Sequence, residues 1–186
     1  MKLQHIDPET SPKTTWSGGT TTQLAIDPPE ADYGARDFLW RVSSATVDLE
    51  ESDFTALPDY DRWISVLNGG MHLTHGDRFG ADLQPGQVYE FDGGIPTHSV
   101  GRCRDFNLMV RKGACTGKMQ QLTLSPGESW ILPSQGELVL YVRTGSLHLD
   151  GEVLSQGMGA RIREPGGEKL TADRASQIMV CTMEKN

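Results

Sequence analysis

The chain has 186 residues, 21 of them glycine, and 25 acidic against 17 basic side chains give it a formal net charge of −8. That balance leaves no cluster of Lys and Arg to release counterions from a phosphate backbone, which excludes nucleic acid as a partner. Cys103, Cys115 and Cys181 are odd in number and lack C-x-x-C spacing, so neither a disulfide framework nor a zinc site is indicated.

The length suits one domain or two small ones, with roughly 70% of the unfolded surface buried on folding. The first residues, MKLQHIDPETSPKTTW, reach Pro8 without an apolar core, and no run approaches the 18 apolar residues of a membrane span. A soluble, cytoplasmic protein without a membrane partner is expected.

Residues 1–15, polar and holding Pro8 and Pro12, read as a short strand or arm and then a loop. Gly18 and Gly19, after Trp16, read as a tight turn, or else as a backbone lip over a pocket. A strand from about Thr22 to Ile26 follows, ended by Asp27-Pro28-Pro29. Two apolar and aromatic segments, Phe38 to Val47 and Arg62 to Leu67, then flank an acidic loop and finish at Gly69-Gly70. Strand alternation places Trp40, Val42 and Ser44 on one face and Arg41, Ser43 and Ala45 on the other. Inside a barrel an arginine beside a serine is an anion-binding pair; outside, it is solvated surface. Turns at Leu83 to Gly86 and Asp92 to Gly94 bracket a strand from Gln87 to Phe91. The strand from Asp105 to Arg111 sets Phe106, Leu108 and Val110 against Asp105, Asn107, Met109 and Arg111.

Small polar residues from Gly113 to Lys118 mark a domain boundary, giving units 1–116 and 117–186. Beyond it Glu137 to Arg143, Ser146 to Leu149, Glu152 to Leu154, Met158 to Arg163 and Gln177 to Met183 are strand candidates. Asp150-Gly151 between two of them is a two-residue hairpin signal. No amphipathic helix of convincing length appears, so the fold class is mainly β. Val66-Leu67-Asn68-Gly69-Gly70-Met71-His72-Leu73 matches Val142-Arg143-Thr144-Gly145-Ser146-Leu147-His148-Leu149, and each copy is followed by a turn glycine, Gly86 or Gly157. Two β-rich halves of similar design are implied.

The chemistry that spacing alone can support is limited. His72, His75, His98 and His148 are the metal-ligand candidates, but a strand site needs ligands at i and i+2, and His72 has Thr74 there. His75, at i+3, points the other way. Asp150, at i+2 from His148, is better used by its hairpin, so no metal and no other cofactor is expected. There is no G-x-S-x-G elbow, the carboxylates of Glu50-Glu51-Ser52-Asp53 read as a solvated loop, and Ser17 to Thr22 lacks a phosphate-loop lysine.

At Trp16-Ser17-Gly18-Gly19-Thr20-Thr21-Thr22-Gln23, Phe38 to Ala45, Phe54 to Arg62 and Arg104 to Met109, the chain resembles the HutD/Ves family. The resemblance covers about the first 110 residues; the rest matches mainly in length and strand pattern. It implies a bicupin, two small antiparallel β-barrels of jelly-roll type, and a link to histidine utilisation in which a pathway intermediate is bound and flux restrained. A defined reaction is not implied. The family's motif positions fall here on Trp16, Gly18 and Gly19, on Trp40, Arg41 and Ser43, and on Asp105, Phe106 and Asn107. Gln23 stands where the family commonly has an acidic residue, Thr20 where it has glycine, and Phe54 to Asp59 replaces its F-S-x-F-x-G element.

The resulting expectation is a small carboxylate ligand, urocanate or a formylated or formiminated glutamate, clamped by Arg41. Ser43, Asn107, Thr22 and Gln23 supply neutral hydrogen bonds, Trp16 and Trp40 an apolar wall, and Gly19 and His98 complete the ligand-binding set. Asp105 either orients Arg41 by a salt bridge or acts as a base. The alternatives are an isomerase or hydrolase using Asp105 or His98 as general base, and a regulatory protein docking through strand edges. A homodimer is compatible with each.

Overall fold

The computed structural model describes every residue of the chain except Arg78. Among the described residues it holds nineteen β-strands and no helix, and so no helix long and apolar enough to cross a membrane. They form two compact units, Pro12–Thr116 and a second built from Met1–Ser11 with Gly117–Asn186.

The opening strand, β1 (Lys2–Ile6), belongs to the second unit. The first unit contains β2 (Lys13–Trp16), β3 (Gly19–Asp27), β4 (Trp40–Val47), β5 (Glu51–Asp53) and β6 (Tyr60–Gly69). It continues with β7 (Met71–His75), β8 (Phe79–Leu83), β9 (Val88–Asp92), β10 (Thr97–Val100) and β11 (Cys103–Arg111). From β12 (Cys115–Leu124) the chain enters the second unit, with β13 (Ser129–Ile131), β14 (Glu137–Thr144), β15 (Ser146–Leu149) and β16 (Glu152–Ser155). It ends with β17 (Gly159–Arg163), β18 (Lys169–Ala172) and β19 (Ser176–Lys185).

The division between Thr116 and Gly117 falls at the expected boundary, and the amino-terminal boundary differs. The first eleven residues leave the expected unit 1–116 because β1 pairs along its whole length with β17, from Lys2 opposite Arg163 to Ile6 opposite Gly159. The small polar stretch from Gly113 to Lys118 spans that division and runs into β12, which begins at Cys115 and buries Cys115 and Met119.

In the first unit a six-stranded sheet, β2-β3-β4-β11-β6-β9, faces a four-stranded sheet, β5-β10-β7-β8. In the second, β1-β17-β14-β19-β12 faces β13-β18-β15-β16. Closed barrels require the end strands of a sheet to pair with one another, and no register among the described residues joins β2 to β9 or β1 to β12. Each unit is therefore a cupin-like sandwich of two open antiparallel sheets. Its core lies between the sheets, where alternate residues meet: Ile64, Val66 and Phe91 against Met71, Leu73 and Leu83 in the first. In the second, Leu138, Leu140, Ile162 and Val180 meet Leu147, Leu149 and Leu170.

The internal repeat holds at atomic detail. Gly69 (φ 85°), the last residue of β6, and Gly145 (φ 93°), between β14 and β15, take the turn at matching positions. Downstream, the Gly86 amide donates to the Val66 carbonyl (2.9 Å) as the Gly157 amide does to that of Val142 (2.8 Å). Asp150 (φ 51°) and Gly151 (φ 84°) make the expected hairpin turn.

Candidate functional site

The two interiors differ in chemistry. The core of the second unit is an apolar cluster drawn from β14, β15, β17 and β18 and from Ile178 and Val180 of β19. The first unit breaks that pattern. Register partners share a face, and on the inner face of the six-stranded sheet they run Gln23, Ser43, Asn107, Ile64, Tyr89 in one row. The next row is Ile26, Arg41, Met109, Arg62, Phe91. Polar and charged groups occupy positions that alternation reserves for core.

Both arginines of that row are buried, at 5% and 6% exposure, yet neither meets a carboxylate within salt-bridge distance among the described residues. Arg41 donates from Nε to Gln23 Oε1 (2.9 Å) and from Nη1 to Ser43 Oγ (3.4 Å), and its guanidinium lies over the Tyr33 ring at 4.4 Å. Arg62 donates from Nη2 to Asn107 Oδ1 (3.4 Å) and sits against the rings of Phe54 (5.0 Å) and Phe91 (5.1 Å). Its Nε is buried without a hydrogen-bond partner among the described residues. Burial pulls both guanidinium pKa values down to about 10, which leaves them charged at neutral pH.

Asp105 lies one row away and works through Asn107. Its Oδ1 accepts from the Ala45 amide (2.9 Å) and from Asn107 Nδ2 (2.8 Å), while Asn107 Oδ1 accepts from Arg62. The expected Arg41–Asp105 salt bridge is thus replaced by an Arg62–Asn107–Asp105 relay. Burial raises the Asp105 pKa to about 7, opposed by the Ala45 hydrogen bond and the Arg62 charge. Near neutrality the site therefore carries two full positive charges and a carboxyl on the edge of ionisation.

The opposite wall comes from the four-stranded sheet. His75 on β7 is 1% exposed and lies in phase with Met71 and Leu73, pointing inward. It is stacked on Tyr89 (5.6 Å), with Phe91 (5.0 Å) and Phe79 (4.9 Å) tilted against it. Burial lowers its pKa, so the ring is neutral. The loop between β3 and β4 is held by Tyr60 and Arg111. The Tyr60 hydroxyl reaches the carbonyls of Arg36 and Phe38 (3.0 Å each), and Arg111 Nε reaches the Phe38 carbonyl (3.0 Å). That loop carries Tyr33, whose ring meets the guanidiniums of both Arg36 (3.9 Å) and Arg41 (4.4 Å).

Of the residues expected in the site, Gln23, Arg41, Ser43, Asp105 and Asn107 converge on one face. Thr22 and Trp40 are buried on the opposite face, one residue out of phase. Trp16 packs against the apolar core cluster that Val47, Ile64, Val66 and Leu73 belong to. Gly19 is needed where β3 meets β4, since a Cβ there would lie 1.9 Å from the Thr46 carbonyl oxygen. His98 is on the outer face of β10, bonded through Nδ1 to Asp53 (2.8 Å), away from the arginines. Its partner raises its pKa.

His72 and His148 are likewise outward and paired, with Asp82 and Asp173 (2.6 Å each). Among the described residues no three His, Cys, Asp or Glu side chains gather as a metal-holding group. Sequence reasoning missed Arg62, Tyr33, Phe54, Phe91 and His75 as site residues. For Arg62 a signal existed, because it keeps phase with Ile64 and Val66.

The comparisons with known proteins cover both units. Protein Ves of Cronobacter sakazakii (strain ATCC BAA-894) is 29% identical over 167 residues, 85% of this chain and 86% of that protein. The crystal structure of PA5104, a conserved protein of unknown function from Pseudomonas aeruginosa PAO1, superposes with a TM-score of 0.84 at 26% identity, covering 99% of this chain and 100% of that one. HutD from Pseudomonas fluorescens SBW25, solved in a formate condition, gives 0.82 at 20% identity with both chains fully covered. With the HutD family model matching residues 8–180, through the arginine-lined first unit and most of the second, the chain belongs to the HutD/Ves family.

Proposed function

We propose that this protein binds a small carboxylate between the two sheets of its first unit, with Arg41 and Arg62 as the paired cationic contacts. One observation carries the reading: two guanidiniums are buried on one sheet face with no carboxylate in salt-bridge contact among the described residues, and one keeps an N–H without a partner among them. A buried charge is costly unless paired, and a carboxylate accepting charge-assisted hydrogen bonds is the natural complement. Ser43, Gln23 and Asn107 supply neutral groups beside the charges. The related HutD from Pseudomonas fluorescens was solved in a formate condition, and formate is the simplest carboxylate. Family membership favours an intermediate of histidine catabolism, urocanate or a formylated or formiminated glutamate, bound in the cytoplasm to moderate flux.

The test is a thermal-shift titration of chelator-treated protein with formate, urocanate, formiminoglutamate, formylglutamate, histidine and glutamate. A ligand at 100 times its dissociation constant adds about 2.7 kcal/mol, a shift of several degrees. A saturable shift that disappears in Arg62→Met supports the reading. No shift with any carboxylate, or one indifferent to both arginines, sinks it.

Asp105 favours a second reading. A buried carboxyl with a pKa of about 7, linked through Asn107 to Arg62, is suited to proton transfer on a bound carboxylate. An isomerase or hydrolase of this kind would lose turnover in Asp105→Asn while still binding. Incubation of each bound carboxylate with the protein, followed by NMR, tests for product; unchanged ligands leave binding alone.

A further inference from the structure

His75 holds a second buried polar atom, besides Arg62 Nε, without a hydrogen-bond partner among the described residues: its Nε2. What that atom offers a ligand depends on which ring nitrogen carries the proton, and the neighbour of Nδ1 decides it. Thr97 Oγ1 lies 3.0 Å from His75 Nδ1 and 2.9 Å from the Ile95 carbonyl oxygen. A hydroxyl has one proton to give. If Thr97 gave it to Nδ1, its oxygen would face the Ile95 oxygen lone pair to lone pair at hydrogen-bond distance. If Thr97 donates to Ile95 and accepts from Nδ1–H, both contacts are hydrogen bonds. The second arrangement puts the imidazole proton on Nδ1 and leaves Nε2 a bare lone pair.

The ring is also tied to the arginines. His75 and Arg62 each lie about 5 Å from the centre of Phe91, the register partner of Arg62. Tyr89, stacked on His75, ends the row that contains Ser43 and Asn107. A ligand anchored on the guanidiniums thus shares its interior with one unsatisfied acceptor.

We infer that His75 is the specificity contact of this site: it accepts a hydrogen bond through Nε2 from an N–H or O–H carried by the ligand at the end away from its carboxylate. The inference rests on the carboxylate reading above and narrows it to carboxylates bearing a hydrogen-bond donor. A site built to bond a donor discriminates strongly against an analogue that lacks one, since the buried acceptor is then left unpaired.

Two measurements test it. In protein labelled with 15N-histidine, long-range proton–nitrogen correlation identifies which nitrogen of His75 is protonated, the signal being assigned by its loss in His75→Phe. The expected result is a proton on Nδ1; a proton on Nε2 overturns the inference without touching the arginines. In calorimetric titrations, 3-(2-pyrrolyl)acrylate and 3-(2-furyl)acrylate differ chiefly in an N–H against a ring oxygen, and formate serves as a carboxylate without a donor arm. The pyrrole compound is expected to bind at least tenfold more tightly than the furan compound to the wild-type protein. That preference should vanish in His75→Phe, with formate affinity retained. Equal binding of the pair, or a preference that survives in His75→Phe, overturns the inference. If formate binds and neither acrylate does, it is overturned too. If no carboxylate binds, the carboxylate reading itself falls and this one with it. The wild-type measurements stand even if the variant does not fold.

Discussion

Arg41 and Arg62 occupy one cross-strand row of the six-stranded sheet, each the register partner of Met109, so two like charges flank a thioether inside a protein core. Such a pair is a liability for folding and an asset for holding an anion. Replacing Arg62 by Met removes an uncompensated buried charge while keeping much of its volume among Phe54 and Phe91. Stability should rise, because the desolvation cost of the buried guanidinium is relieved, and the carboxylate-dependent thermal shift should vanish. Chemical denaturation with and without formate checks both. A destabilised variant that keeps its formate response would make Arg62 structural.

Gln23 decides how much of the Arg41 charge is left for a ligand. Its Oε1 accepts from Arg41 Nε as a neutral group. In Gln23→Glu the same geometry becomes a charge-assisted pair, and the protein supplies its own anion. Formate affinity should fall by about tenfold or more, equivalent to about 1.4 kcal/mol, with folding unharmed. Isothermal titration of the two proteins gives the ratio directly; an unchanged affinity would show that Arg41 does not contact the ligand.

How far the sequence carried this picture depends on which signals are local. Alternation along β4 and β11 put Arg41, Ser43, Asp105 and Asn107 on common faces, and the structure keeps them there because a pleated strand leaves no other choice. Thr22 and Trp40 enter the expected site from the motif segments rather than from alternation, which sets Trp40 opposite Arg41 and Ser43, and the structure keeps both out of phase with them. His98 was misplaced because Thr97 and Ser99, not His98, are the inward residues of β10. Arg62 is readable from its phase with Ile64 and Val66. Tyr33 reaches Arg41 from a loop, and His75 reaches Phe91 across the sandwich. No periodicity encodes such contacts between distant segments.

Tyr60 holds the loop that places Tyr33 over Arg41. Buried at 1% exposure, its hydroxyl bonds the Arg36 and Phe38 carbonyls and receives a hydrogen bond from Arg111. Tyr60→Phe leaves those groups short of a partner and should cost about 1–3 kcal/mol. Because the loop bears on Arg41, ligand affinity should fall as well, and amide exchange over residues 30–37 should accelerate. Unaltered exchange there would separate Tyr60 from the loop.

Asp105 should give the protein a pH dependence of definite sign. Its folded pKa of about 7 lies above the ordinary carboxyl value of 3.8, so the folded protein keeps a proton that the unfolded chain has released. The group's contribution to stability is therefore full below about pH 4. It declines as pH rises towards 7, and levels off once the buried carboxyl is ionised in both states. Asn at this position keeps an Oδ1 acceptor for the Ala45 amide and the Asn107 side chain but cannot ionise. Asp105→Asn should thus be more stable than wild type at pH 8, with the advantage shrinking towards pH 5. Ligand binding follows the same proton. Ionised Asp105 offsets the Arg62 charge through Asn107, so carboxylate affinity should weaken between pH 6 and pH 8 in the wild type and stay flat in Asp105→Asn. Denaturation and formate titrations at pH 5, 6, 7 and 8 on both proteins give the two curves. Parallel stability profiles would mean that Asp105 does not hold its proton in the folded state.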